Sequence, residues 1–219
     1  MKTKVVYAIF FLILCVLILA MTVTISRYLS FKTNVAFLLQ KQDYISNSLW
    51  LTSFYVHVFS AVFCLMAGLT QFSNYILREH KSLHRTIGKL YVYAILFVNV
   101  PSGLILALYA NGGLVAKSAF IALDLLWLVF TLLALYHIKN KLILLHRSYM
   151  IRSYALTLSV LTFRLLRPLL EFSTELDKET IYKLDAWLAF TINLFVAEII
   201  IRKKITKRIS AEVPGYSKK

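Results

Sequence analysis

The ionisable side chains inside long apolar segments are the residues of this sequence best placed to do chemistry. His57, Asp124, Arg164 and Asp185 each stand within such a segment, and counting along the segments places all four at one depth. An unpaired charge in lipid costs at least about 2.5–3.5 kcal/mol, so residues of this kind usually pair, bind a ligand or carry protons. We expect these four side chains to face one another in a polar seam that opens to the outside. A purely structural Asp124–Arg164 bridge is the alternative.

Two His-Arg pairs form a second set of candidate site residues. His84-Arg85 and His146-Arg147 each stand at the start of an apolar helix that follows a polar turn. The first turn of a helix offers free N–H groups and a partial positive charge, which suits an anion such as a lipid phosphate or a haem propionate. Ordinary anchoring at the cytoplasmic face is the alternative. The same placement indicates two parallel hairpin repeats, although three shared residues can also match by chance.

The histidines raise the question of a bound cofactor. Haem b is held by two histidines at equal depth on facing helices, and His84 and His146 meet that condition near one membrane face. His80 and His137 lie near the same level, so a transition metal and solvated interfacial side chains are alternatives. The sequence has no glycine-rich phosphate loop, HExxH, CxxC or nucleophile elbow.

Composition determines which elements must position these residues. The chain has 219 residues, of which 59% are hydrophobic and 16% charged, which is too apolar for the surface of a soluble domain. A membrane helix needs about 20 apolar residues, and six segments of that length predict an all-α polytopic bundle. We expect a four-helix core within residues 50–170, preceded by a helix and outer loop (1–49) and followed by an acidic loop, a last helix and a basic tail (171–219). The six segments are 5–26, 50–75, 86–110, 117–138, 147–170 and 181–201.

The distribution of charge predicts the orientation. Lys and Arg number 25 against 10 Asp and Glu, a net charge of +15, and most of the basic residues fall on one side of the six segments. Short cytoplasmic loops retain Lys and Arg, so we expect both termini in the cytoplasm. The basic tail after the last segment, from Arg202 to Arg208, is expected to adhere to anionic lipid headgroups. This explanation requires no nucleic acid partner.

Three motifs resemble those of a family of predicted bacterial membrane proteins, the domain of unknown function numbered 2306. They are HRTIGKLY at 84–91, Gly103 with Gly112-Gly113, and HRSYMIRSYALT at 146–157 followed by Arg164. The resemblance covers about residues 52–170. It implies a multi-pass protein of a bacterial inner membrane, and its name carries no activity. The residues that it implies to be shared are His57, Gln71, His84, Arg85, Gly88, His146, Arg147, Arg152 and Arg164.

Together these patterns favour a membrane protein that binds a redox group or small ligand, such as haem or quinone, through the His-Arg pairs. A small transporter or proton-coupled carrier that uses the outer seam is the alternative from a different class. A third is a non-catalytic partner in a membrane complex or a homo-oligomer. The ligand-binding candidates are His57, Gln71, Asp124, Arg164, Asp185, Arg85, Arg147 and Arg152, and the haem or metal candidates are His84 and His146.

Overall fold

The computed structural model describes the chain over residues 2–212, and its side chains over residues 5–203 except those of residues 6, 7, 10 and 74. Within this part the chain is almost entirely helical and contains no strand. The basic tail to which the sequence assigns lipid binding lies outside the described side chains beyond Lys203. The α-helices are α1 (Lys2–Ser26), α2 (Ser48–Gln71), α3 (Asn74–Glu79), α4 (Lys81–Ala94), α5 (Val100–Leu108), α6 (Gly113–Lys139), α7 (Ile143–Thr157), α8 (Ser159–Ser173) and α9 (Lys178–Glu212).

Five of the described helical segments are long and apolar enough to cross a membrane. Their mean hydropathy lies between 1.7 and 2.2, and most of their residues are not buried within the protein, as expected for helices that face lipid. This confirms the prediction of an all-helical, multi-span membrane protein. The remaining predicted segment, the fifth (147–170), is divided at Leu158 into α7 and α8. The five segments are Phe11–Ser30, Ser48–Gln71, Lys81–Leu108, Gly113–Lys139 and Lys178–Lys203.

The chain forms two compact units that divide between Asp124 and Leu125, within α6. In the first unit, α2 is the central helix and packs against α1, α4 and α5. Its buried face carries Trp50, Phe54, Cys64 and Leu65. The predicted division into residues 1–49, 50–170 and 171–219 stays a prediction.

In the second unit, α9 packs along both α7 and α8. The buried residues of α9 include Ala186, Ala189 and Ala197, whose small side chains allow the helix backbones to approach closely. Arg152 and Glu198 tie α7 to α9 with two hydrogen bonds, Nε to Oε1 at 2.5 Å and Nη2 to Oε2 at 3.0 Å. This two-pronged geometry fixes the relative position of the two helices along their length.

An aromatic cluster packs around Phe54 in the first unit. A 3-10 helix, Ala36–Tyr44, contributes Phe37 and Tyr44 to the cluster. Phe54 lies at its centre, with ring centroids 5.8 Å from Trp50, 5.9 Å from Phe37 and 5.1 Å from Tyr28. Aromatic side chains are common where a membrane helix meets the interface.

A buried lysine holds this 3-10 helix in place. Lys41 is only 3% exposed, and its Nζ donates to the carbonyl of Tyr109 and to Oδ1 of Asn111, both at 2.6 Å. The ring of Tyr44 lies 5.2 Å from the same ammonium group. Burial, with a smaller contribution from the charge of Lys117, lowers the pKa of Lys41 below its usual value. The loop before α2 is thus bound to the turn that follows α5.

Candidate functional site

The third membrane segment is interrupted near its middle. Between α4 and α5 the chain forms a π-helical turn, Ile95–Asn99, and Pro101 follows two residues later. Proline has no N–H and cannot donate to the preceding turn, so a regular helix cannot continue through this point. Turns of this kind within helices are frequent at functional sites. In the first unit, polar side chains gather around the turn.

Asn99 organises the polar groups at this interruption. Its side chain is fully buried, and its amide nitrogen donates to the carbonyl of Ala94 at 3.1 Å. The same nitrogen lies 3.4 Å from the sulfur of Cys64, and Oδ1 accepts from the hydroxyl of Ser60 at 3.0 Å. The amide therefore satisfies a carbonyl at the irregular turn and links it to α2.

His57 lies on α2 beside the same turn. Its Nδ1 is 3.1 Å from the carbonyl oxygen of Asn99 and 3.2 Å from the hydroxyl of Ser102. Because a carbonyl can only accept, Nδ1 carries the ring proton in this contact. The other ring nitrogen, Nε2, is then left as an acceptor that can bind a proton or a ligand.

Asp124 lies against α5 one residue beyond Ser102. The residue is 4% exposed, and a methyl group added to Gly103 would lie 2.6 Å from its Oδ2. The carboxyl group therefore rests directly on the backbone at Gly103. His57 and Asp124 thus contact neighbouring residues of one helix, Ser102 and Gly103, and the first unit brings these two predicted site residues to the same level.

A second interruption divides the fifth predicted segment at Leu158. The hydroxyl of Thr157 donates to the carbonyl of Ser153 at 3.2 Å, and that of Ser159 to the carbonyl of Ala155 at 3.4 Å. Bonds from a hydroxyl back to the preceding turn weaken and bend helices. Three hydroxyl residues within seven positions therefore favour a break here.

An asparagine again satisfies a carbonyl beside the break. Asn193 on α9 donates from its amide nitrogen to the carbonyl of Ala155 at 3.1 Å, and its Oδ1 accepts from the hydroxyl of Thr162 at 2.9 Å. Close by in the chain, the hydroxyls of Thr131 and Ser153, both fully buried, form a hydrogen bond of 2.9 Å. Exposed backbone is tolerated at membrane depth only when such partners are present.

The two interruptions occupy corresponding positions after the two His-Arg pairs. Ala94 stands ten residues after His84, and Ala155 stands nine residues after His146. In both cases an asparagine amide donates to that alanine's carbonyl. The two spacings differ by one residue, and Asn99 lies in the interrupted segment itself whereas Asn193 lies on α9, so the hairpin repeat stays a prediction. Interrupted helices at matching positions of two repeats are typical of ligand sites in membrane transporters.

The remaining predicted site residues fall into three groups. Gln71 at the end of α2 lies against α4, where a methyl group on Gly88 would be 2.9 Å from its Oε1. Arg85, Arg147 and Arg164 are exposed, and His84 is half-buried on α4. Asp185 is fully buried on α9. The predicted seam of four ionisable residues and the binding roles of the arginines stay predictions.

One ring nitrogen of His146 is hydrogen-bonded, which leaves the other as a possible ligand for a metal or haem. Its Nδ1 lies 2.8 Å from the carbonyl oxygen of Ala134, so this nitrogen donates and Nε2 is left with its lone pair. Metal- and haem-binding histidines are usually oriented by a bond of this kind. Within the residues that the structure describes, no three His, Cys, Asp or Glu side chains are grouped as metal ligands.

The two asparagines that donate to the carbonyls beside the breaks were not predicted as site residues. Asn99 and Asn193 each stand out in the sequence as an amide within an apolar segment, and Pro101 marks the first break. Their role depends on hydrogen bonds to the carbonyls of Ala94 and Ala155, which the sequence does not reveal. Glu198 was not predicted as a partner of Arg152, because it lies near the basic end of its segment, where charged residues are common.

The comparisons with known proteins identify a family without an activity. A family model described as Predicted membrane protein (DUF2306) matches residues 54–201, which extends past the expected end at residue 170 into α9. No curated protein and no solved structure matches the chain.

Proposed function

The chain belongs to this DUF2306 family of predicted membrane proteins, and from the geometry of its interrupted helices we propose that it carries a small cationic or hydrogen-bond-donating solute across the membrane. The observation that supports the proposal most is the pair of interrupted helices, each of which follows a His-Arg pair at a similar distance. In the first unit the interruption is surrounded by His57, Asn99, Ser102 and Asp124.

The chemistry of these groups suits such a solute. Nε2 of His57 and the carboxyl oxygens of Asp124 are acceptors, so they favour a ligand that donates hydrogen bonds or is positively charged. The two residues lie nine and eleven positions from the first residues of α2 and α6, or about 14 and 17 Å along the helix axes. A polar solute can reach groups at this depth only along a polar path from the aqueous phase. A carrier provides such a path.

A ligand screen on the purified protein tests the proposal. The unfolding temperature in detergent is measured with monovalent cations, primary amines and small polyols as probes, because a ligand that binds the folded state raises it. We expect at least one probe to raise the temperature of the wild type and of Asp43→Asn, an exposed control. Asn99→Ala and Asp124→Asn should abolish that shift. The same probe should enter vesicles that contain the wild type but not those that contain Asp124→Asn.

A probe whose shift survives both site variants would place binding elsewhere and contradict the proposal. A shift without uptake into vesicles would indicate a binding protein rather than a carrier.

The geometry of His146 favours a second candidate, a protein that binds haem b or an associated quinone. His146 would supply one ligand through Nε2, and haem would supply one-electron chemistry. His84 is the predicted second ligand. The absorption spectrum of protein expressed with added haem, oxidised and reduced, tests this candidate. A haem band in stoichiometric amount that His146→Ala abolishes is expected, and a spectrum without the band would rule this candidate out.

We also propose six crossings, with α7 and α8 together forming the fifth. Together α7 and α8 run from Ile143 to Ser173, which is long enough to cross hydrocarbon about 30 Å thick. Six crossings place both termini on one face, and the distribution of Lys and Arg favours the cytoplasmic face. The exposed basic residues there, including Arg85 and Arg147, would contact anionic headgroups.

A further inference from the structure

Asp185 is the most unusual buried group of the second unit. Its side chain is fully buried, and within the described part of the chain neither carboxyl oxygen has a hydrogen-bond partner. An ionised carboxylate without a partner is strongly disfavoured in such surroundings, so the group must hold a proton or a cation.

Arg167 on α8 is a cation that acts on Asp185, and its own contacts are with Tyr182 and Glu171. Tyr182 precedes Asp185 by three residues on α9, and the guanidinium of Arg167 lies 5.7 Å from the centre of its ring. Arg167 donates from Nε to Glu171 at 3.2 Å on α8, and its charge acts on Asp185 electrostatically. Phe163 packs edge-on against Tyr182, with ring centroids 5.7 Å apart.

Two other basic residues of α8 and α9 have no described contact with Asp185. Lys183 on α9 pairs with Glu179 at 2.7 Å, and Arg164 on α8 is exposed. Arg167 is thus the basic group placed to respond when Asp185 changes its charge.

We propose that Asp185 is a proton-binding site, with Arg167 as the group that moves from Glu171 to Asp185 when the proton leaves. The O–H bond of the carboxylic acid breaks, the proton passes to water, and the electron pair stays on the carboxylate. Arg167 then donates an N–H to the new carboxylate. This inference rests on the proposed carrier function, because it names the proton as the ion coupled to transport.

Infrared spectroscopy of the full protein in vesicles tests this site directly. A protonated carboxyl group has a carbonyl stretching band that is separate from the carboxylate bands and shifts when H₂O is replaced by D₂O. We expect the wild type to show such a band and to lose it reversibly at alkaline pH. Asp185→Asn should lose the band, whereas the exposed control Asp43→Asn should keep it.

Arg167→Gln provides a variant that keeps the carboxyl group. Without the cation, the carboxylate has no partner to accept from, so the band should persist to a pH about 1–3 units higher than in the wild type. A purely structural role for Asp185 predicts no such displacement. An unchanged band in Asp185→Asn, or an unchanged pH profile in Arg167→Gln, would overturn the proposal. A band that responds to Na⁺ but not to pH would replace the proton with a metal cation.

The two proposals fail separately. An Asp185 band with the expected pH profile in a protein that takes up none of the probes would overturn the carrier and retain the proton site. Uptake by Asp185→Asn at the wild-type rate and pH dependence would retain the carrier and overturn its coupling to Asp185.

Discussion

At the scale of single residues, close contacts with Gly103 and around Lys41 are the features most open to test. In both places a charged or ionisable side chain is held against backbone, with no room for a larger group at Gly103 and no solvent at Lys41. At these positions the free energy of unfolding therefore depends on contacts between specific atoms more than on the apolar area that is buried.

Gly103→Ala should destabilise the protein even though alanine is the better helix former. The new methyl group would lie 2.6 Å from Oδ2 and 2.9 Å from Oδ1 of Asp124, and overpacking of this kind costs about 1–3 kcal/mol. Thermal unfolding in detergent measures the change.

Gly88→Ala is the matched control, because its new methyl group would meet only the end of the flexible Gln71 side chain. It should be neutral or stabilising by up to about 1 kcal/mol. Adding Asp124→Ala to Gly103→Ala should restore part of the lost stability. Additive effects in this pair would contradict the contact.

Lys41 should make stability depend on pH in the alkaline range. Because burial lowers its pKa in the folded state, the unfolded chain binds more protons between that value and the ordinary lysine value of about 10.4. The free energy of unfolding therefore rises with pH across this window and the gain is lost as pH falls. Lys41→Met should flatten the rise, while the exposed control Lys32→Met should keep it. Unfolding temperatures across the alkaline range provide the measurement, and parallel curves for wild type and Lys41→Met would disprove the assignment.

At the scale of elements, the apolar segments were predictable and their interruptions were not. Length and hydropathy suffice to place a membrane helix, and five of the six segments correspond to candidate membrane spans. The stability of a break depends on which groups bond to the carbonyls beside it, and for Ala155 one such donor, Asn193, is 38 residues away. A local sequence pattern cannot predict a partner so distant in the chain. His57 and Asp124 were easy to single out, since an ionisable side chain within an apolar segment stands out in any sequence, and their role as site residues stays a prediction.

Asn193→Ala should weaken the second unit by about 1–3 kcal/mol, because the carbonyl of Ala155 loses its shorter side-chain hydrogen bond and keeps only the longer one from Ser159, and the hydroxyl of Thr162 loses its acceptor. Thr191→Ala, on the exposed side of the same helix, removes only a bond within α9 and should change stability little. Thermal unfolding of both variants measures the difference. Equal effects would show that the bond to Ala155 does not stabilise the break.

At the scale of the whole molecule, the number of crossings decides on which side each loop lies. The proposed six crossings, with both termini in the cytoplasm, would place Gln42 and Glu175 outside, and Glu79 and Asn140 in the cytoplasm. If α7 and α8 did not cross, Glu175 would lie with Asn140.

Single cysteines at these four positions, in a chain with Cys15 and Cys64 replaced by alanine, measure the arrangement with a membrane-impermeant maleimide. We expect Gln42→Cys and Glu175→Cys to react in intact cells, and Glu79→Cys and Asn140→Cys only after lysis. Protection of Glu175→Cys in intact cells would contradict the six-crossing arrangement.

The aromatic cluster also gives the protein a built-in optical probe. Trp50 is 1% exposed among Phe54 and Tyr44, whereas the other two tryptophans, Trp127 and Trp187, belong to the second unit. Replacing the latter pair with phenylalanine leaves a single indole whose emission reports on the first unit alone. The complementary Trp50→Phe variant keeps Trp127 and Trp187 and reports on the second unit. The unfolding of each unit can thus be followed through the tryptophan emission of one variant, without an attached dye.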